Sequence, residues 1–288
     1  MSADARTAEH RTHAQRLFPQ LEAIATFTPV GHGWTCHTYE ADGTWIVQFP
    51  KDAGAEALLR RQIDMLPEIA AEVSTAVPEP ELVSLDPVVM GYRKLPGTSL
   101  VEAGDEGVWP ERLGRSLYDL HMVPAEYLGL RARGAAAVRE ERRAELATLQ
   151  ERVFPLLSTA ERGAFADRFD HYLGADDLWR FGPCVTHNDL GPDHILVSAA
   201  GDLAGVIDWE EVGIGDPAWD FAWLLGARPD AGERALAAYG GLPDAGFRDR
   251  ARFSFLLMPW HEVIYGLDSG RDAFVQSGLG GVRERSQV

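Results

Sequence analysis

The sequence predicts an α+β chain of two lobes: a five-stranded antiparallel sheet with a leading helix over residues 1–95, and a mainly helical lobe over 96–288. Three observations carry this expectation. Short β-branched and aromatic runs separated by Asp-Gly and Asp-Pro turns occupy the first third of the chain. Beyond Gly107, apolar residues recur at helical spacing. Between residues 184 and 225 a hairpin pattern interrupts the helices and gathers Asp189, Asp193, Asp202, Asp208, Glu210, Glu211, Asp216 and Asp220, with no Lys or Arg from 186 to 227. Carboxylates brought this close repel one another, so the segment calls for a cation.

Leu17, Leu21 and Ile24 place an amphipathic helix over about residues 7–26. A strand then meets a loop, residues 30–35, whose Gly31 and Gly33 can lay backbone N–H groups against phosphates. Residues 36–40 and 45–49 read as strands joined by an Asp42-Gly43 turn. Strand alternation puts Ile46 and Gln48 on one face and Trp45, Val47 and Phe49 on the other. A helix follows over residues 53–71; Pro78 and Pro80 end that region, and strands at 81–85 and 88–92 flank Asp86-Pro87. Residues 91–97, with Gly91, Pro96 and Gly97, mark the boundary between lobes.

In the second lobe, Leu113, Leu117 and Leu120 form one core stripe, and Leu146, Leu149, Val153 and Leu156 another. Ser158 and Glu161 have capping-box spacing ahead of Phe165, Phe169 and Tyr172. His121 reads as a structural histidine, and the mixed-charge run 139–143 as a solvated helix face. Strands at 195–197 and 206–207, joined through Gly201-Asp202, deliver Asp208 beside the loop that carries His187 and Asp189. Asp216 before Pro217 has the pattern of a helix cap, and Asp220, between Trp219, Phe221 and Trp223, is expected to be buried and therefore hydrogen-bonded. Helices return over about 231–239 and 248–267.

Composition narrows the partners. With 288 residues and 45% hydrophobic content the chain can bury a full core. A net charge of -17 argues against nucleic acid or an anionic membrane and fits a cationic small molecule, although an acidic surface that keeps the protein soluble explains it equally well. Two distant cysteines, Cys36 and Cys184, give no disulfide framework, and the N-terminus shows no apolar run; a cytoplasmic monomer is expected.

The order His187-x-Asp189-x4-His194, then a hairpin, then Ile207-Asp208-Trp209, resembles the catalytic segment of the aminoglycoside and macrolide phosphotransferases. These are small-molecule kinases with a protein-kinase-like fold. More loosely, residues 260–267 and the tail 277–284 are similar to the aminoglycoside kinases that modify a 2″-hydroxyl. The resemblance implies Asp189 as the base that accepts the hydroxyl proton, and Asp208 as a ligand of Mg²⁺ on the phosphates of ATP or GTP. His194 stands where most members carry a metal-binding Asn; direct ligation, ligation through a water and orientation of Asp208 all stay open. Nucleotide contacts fall on Gly31, Gly33, Ile46, Gln48 and, at the hinge, Arg93, Lys94 and Leu95.

The sequence departs from the kinase pattern at two places. Gln48 occupies the position of the phosphate-binding lysine and Gln62 that of its glutamate partner, which leaves Lys51 or Mg²⁺ to neutralise the phosphates. Acceptor contacts are expected from Glu210, Glu211, Trp260, Glu262 and Asp268, and structural support from His187, Gln62 and Asp220. The implied reaction moves a γ-phosphoryl group to a small-molecule hydroxyl, with an aminoglycoside ranked ahead of a macrolide, a peptide antibiotic or a primary metabolite. A nucleotide-binding pseudokinase is the rival reading, motivated by Gln48 and Gln62 and opposed by the presence of both Asp189 and Asp208.

Overall fold

A computed structural model describes all residues except 1, 32, 105, 242 and 286–288, so His32, within the glycine loop, lies outside the described residues. Helix α1, Ala3–Leu17, starts where the Ser2 side chain accepts a hydrogen bond from Ala5 N–H. It ends earlier than the 7–26 expectation because Phe18 turns to extended backbone and Pro19 opens a 3-10 turn, Pro19–Leu21. Leu21 and Ile24 are buried all the same, packed with Phe18, Tyr39, Trp45, Val47 and Phe49.

Strands β1 (Phe27–Pro29), β2 (Cys36–Ala41), β3 (Trp45–Pro50), β4 (Pro80–Leu85) and β5 (Val88–Arg93) form one five-stranded sheet in the order β1-β2-β3-β5-β4. Its pairings are antiparallel. The β2–β3 turn spans the three residues 42–44 between the paired Ala41 and Trp45; Asp42 (φ 51°) and Gly43 (φ 65°) are left-handed, and Thr44 N–H donates to Ala41 O at 3.0 Å. Helix α2, Ala53–Glu72, is capped by the Asp52 side chain on Ala55 N–H. Alternation along β3 holds: Trp45, Val47 and Phe49 pack with α1, whereas Ile46 joins the core that contains Leu59 and Leu66 of α2.

After Arg93 the chain leaves this sheet, and β6, Thr98–Ser99, already pairs with β8, Ile195–Val197. The remainder is helical apart from short strands: α3 (Trp109–Met122), α4 (Ala135–Arg152), α5 (Thr159–Gly174), α6 (Ala222–Ala227), α7 (Pro229–Ala238), α8 (Phe247–Ser269) and α9 (Asp272–Arg285). The Ser158–Glu161 capping box forms as expected. Leu156 does not join the core; α4 ends at Arg152, a 3-10 turn rotates the chain, and Leu157 is buried instead. One apolar core runs from α2 and β5 through α3 to the segment around Asp220, and a second joins α4, α5, α8 and α9. Among the described residues no helix is long and apolar enough to cross a membrane.

Candidate active site

Two short antiparallel pairs build the site. β7 (Cys184–Thr186) pairs with β10 (Gly213–Gly215), and β8 pairs with β9 (Leu203–Val206), so the loops after β7 and after β9 come out side by side. Asp189 stands on the first loop and Asp208 on the second.

Asp220 organises the first loop from beneath. Its carboxylate has no solvent exposure and accepts from His187 N–H (2.9 Å), Asn188 N–H (2.9 Å) and His121 Nε2 (3.0 Å). Burial pushes its pKa up, but the His121 bond and charge, with the His187 contacts, outweigh this and hold it below the usual carboxylate range. His121 is thus a structural residue, held from its other side by Tyr239 Oη at 2.8 Å. His187, fully buried, donates from Nε2 to Ile207 O (3.1 Å) and accepts at Nδ1 from Asp189 N–H (3.3 Å). One imidazole therefore fixes the backbone on both sides of the centre, and burial lowers its pKa, which suits this neutral tautomer. Asn188 (φ 68°) and Asp208 (φ 68°) both sit in the left-handed region, strain of the kind that concentrates at functional loops.

His194 lies between the carboxylates. Nδ1 is 2.6 Å from Asp189 O, which assigns the proton to that nitrogen, and Nε2 points at Asp208 Oδ2 (3.3 Å) and Asp193 Oδ2 (3.5 Å). Burial opposes protonation of the ring, yet Asp208, Asp193 and Asp189 outweigh it and raise its pKa. Asp189 is pushed up to about 7, first by loss of water around it, with Asp208 and Asp193 adding to the shift and His194 opposing it. Oxygen or nitrogen atoms of Asp189, His194 and Asp208 lie within 4.8 Å of one another. A lone pair on His194 Nε2 facing carboxylates is stable only with a proton or a metal ion between them. Of these three, Asp208 offers a divalent cation a hard oxygen and His194 a nitrogen that Mg²⁺ ordinarily ranks below oxygen.

The first lobe covers the centre. Lys51 Nζ donates to Gly33 O and, at 3.2 Å, to Trp34 O, tying the glycine loop to the end of β3. Trp34 stacks on Tyr265 of α8, ring centroids 4.0 Å apart and planes 5° from parallel, so the loop touches the second lobe. Gln48 Oε1 is buried without a hydrogen-bond partner, Gln62 is buried on α2, and among the described residues no hydrogen bond joins the two. At the hinge, Arg93 covers the Trp45 ring (4.0 Å) and Lys94 pairs with Glu40 (2.5 Å), so their side chains are engaged on the sheet. Leu95 faces Gly205, where an added Cβ would come within 2.8 Å of Leu95 Cδ1.

The acceptor residues expected from sequence scatter. Glu210 points to the first lobe, accepting from Thr35 Oγ1 at 2.5 Å. Trp260 has no solvent exposure and packs on Phe154, Phe165 and Phe169, because α8 is apolar on more than one face and this side meets α5. Asp268 is paired with Arg152 at 2.6 Å on the surface, and Glu262 lies within the electrostatic reach of Arg285. Glu211 stays at the centre: Asn188 Nδ2 donates to its carbonyl at 2.9 Å, and its charge is felt at Asp189.

A cluster that sequence reasoning missed flanks the catalytic loop instead. Trp219 Nε1 donates to Asn188 O (2.6 Å), Arg142 lies over the Trp219 ring (4.2 Å) and pairs with Glu145 (2.5 Å), and Glu145 also meets His261 Nε2 (2.6 Å). The charged run 139–143 is therefore only partly a solvated face: Arg142 is largely covered, and Arg139 reaches Leu173 O and Asp176. The adjacency of Trp219 to Asp220 was the available signal.

Comparison with known proteins matches this geometry. The model of the phosphotransferase enzyme family, APH, matches residues 26–256. Viomycin phosphotransferase of Streptomyces vinaceus is 36% identical over 150 residues, 48% of this chain and 49% of that protein, so the match spans about half the length of that relative. An APH(2″) aminoglycoside phosphotransferase solved with GDP and kanamycin superposes with TM-score 0.85 at 21% identity, over 97% of this chain and 98% of that one. A macrolide 2′-phosphotransferase from Brachybacterium faecium gives 0.75 at 24%, over 96% and 97%. These structural likenesses establish a kinase-like fold, and the family match, which covers both the glycine loop and the Asp189–Asp208 centre, establishes that the chain belongs to the phosphotransferase enzyme family.

Proposed function

We propose that the protein transfers the γ-phosphoryl group of ATP or GTP to a hydroxyl of a small-molecule antibiotic. The observation that carries this reading is the pairing of Asp189 and Asp208 through His194 beneath a glycine loop. Asp189 accepts the proton as the acceptor oxygen bonds to the γ-phosphorus and the bond from that phosphorus to the β–γ bridging oxygen breaks. His187 and Asp220 hold the loop, so the base is positioned before substrate arrives. Asp208 and His194 would hold Mg²⁺, which when bound supplies charge to stabilise the transferring phosphoryl group.

Neutral Gln48 and Gln62 have a measurable consequence. Gln62→Glu alone is expected to weaken nucleotide binding more than Gln62→Glu combined with Gln48→Lys, because a lone buried carboxylate lacks a counter-charge that the double change restores. Additive effects across that cycle in nucleotide-affinity measurements would mean that the two side chains do not meet.

For the acceptor, an aminoglycoside ranks first. Glu211, whose charge is felt at Asp189, is a carboxylate suited to an ammonium group. Burial of Trp209, Trp223 and Trp260 removes most of the apolar wall that a macrolide ring would use. The resemblance to viomycin phosphotransferase favours a second reading with viomycin as acceptor. Acceptor KM should rise markedly with ionic strength if charge leads recognition. A macrolide phosphorylated with a salt-insensitive KM, with no transfer to any aminoglycoside, would overturn the ranking.

A further inference from the structure

In the kinase pattern an ion pair between residues 48 and 62 would link α2 to the phosphate cradle, and here both partners are neutral amides. Gln48 Oε1 is left buried and unpartnered, so no such link is made through it. Two other hydrogen bonds cross from the first lobe to the loop that carries Asp208. Arg61 Nη2, one residue before Gln62 on α2, donates to Glu210 O at 2.6 Å, and Thr35 Oγ1, at the end of the glycine loop, donates to Glu210 Oε2 at 2.5 Å. From the other side Asn188 Nδ2 donates to Glu211 O at 2.9 Å. The segment 208–211 is thus suspended between α2, the glycine loop and the catalytic loop, and it includes Asp208 in its strained left-handed conformation.

We propose that Arg61, Thr35 and Glu210 form the tie that couples α2 and the glycine loop to the metal-holding Asp208, in place of the absent ion pair. They are positioning residues: in the structure each touches the Asp208 loop or its covering loop. The inference rests on the phosphotransferase reading above. Its chemistry is specific to the side chains involved. A guanidinium on a carbonyl and a hydroxyl on a carboxylate are charge-assisted bonds, stronger than neutral ones, and both converge on one residue two positions from Asp208.

The test uses the full chain with MgATP and MgGTP. Thr35→Val and Arg61→Ala are each expected to raise the nucleotide KM, and the Mg²⁺ concentration for half-maximal activity, by about tenfold. Thr35→Ser should restore wild-type values and Arg61→Lys part of them. The double variant should cost less than the sum of the singles, because both bonds restrain one loop. Thr35 lies in a loop with little core packing, so Thr35→Val keeps the experiment interpretable even if Arg61→Ala folds poorly. Unchanged nucleotide KM and Mg²⁺ dependence in Thr35→Val, with activity still abolished in Asp189→Asn, would overturn the tie and leave the phosphotransferase reading standing. An Asp189→Asn protein as active as wild type would count against that reading itself.

Discussion

Asp189→Asn is expected to lower turnover by about two to four orders of magnitude, the usual contribution of a positioned general base, with nucleotide affinity nearly unchanged. The substitution keeps size and shape. His194 Nδ1 bonds the backbone carbonyl of residue 189, and His187 accepts from its backbone N–H, so neither contact depends on the carboxylate. What disappears is the proton acceptor. Paired measurements of kcat and nucleotide dissociation constant check this, and wild-type turnover would remove Asp189 from the mechanism.

Asp220→Ala should be the most damaging single change to stability. It strands the buried His187 amide and His121, and the half-buried Asn188 amide, and breaking a buried charged network by removing one partner costs about 3–5 kcal/mol. The pH dependence follows from the depressed pKa of Asp220. Its stabilising contribution is fully present above the unfolded carboxylate value of about 4, and is lost as pH falls through the lower folded value. Denaturant unfolding at neutral pH should therefore show the full gap between wild type and variant, and the gap should narrow on acidification below that range.

The legible parts of the molecule were those where short-range spacing dictates geometry. Asp189, His194 and Asp208 occur on consecutive hairpin loops, so their order in sequence is nearly their order in space. Alternation along β3 separated Ile46 from Trp45, Val47 and Phe49, and the structure keeps that separation because each face has its own helix to cover it. Asp220 was readable from its aromatic neighbours, since a carboxylate among them must be buried and satisfied.

What escaped was set by packing between distant segments. Helix α8 gives no single apolar stripe, so Trp260 in the core and Tyr265 at the glycine loop could not be told apart from spacing. Glu210 follows Asp208 directly, but whether it faces the acceptor or the first lobe depends on Thr35 and Arg61, both far away in sequence. Arg142 sits in a charged run that would be solvated on an isolated helix; the approach of Trp219 covers it. The helix ends near residues 18 and 152 were decided by single turns, and these moved Leu156 out of the core and Leu157 into it.

The most direct test of the central claim is mass spectrometry of the acceptor after incubation with the full-length protein, Mg²⁺ and either ATP or GTP. Kanamycin, a macrolide and viomycin would be assayed in parallel, with the Asp189→Asn protein as control. The account predicts that at least one acceptor gains the mass of a single phosphoryl group, in a nucleotide-dependent manner, and that the gain is reduced by about two to four orders of magnitude in rate with the variant. Nucleotide bound but no acceptor modified across the panel, or equal modification by wild type and Asp189→Asn, would contradict it.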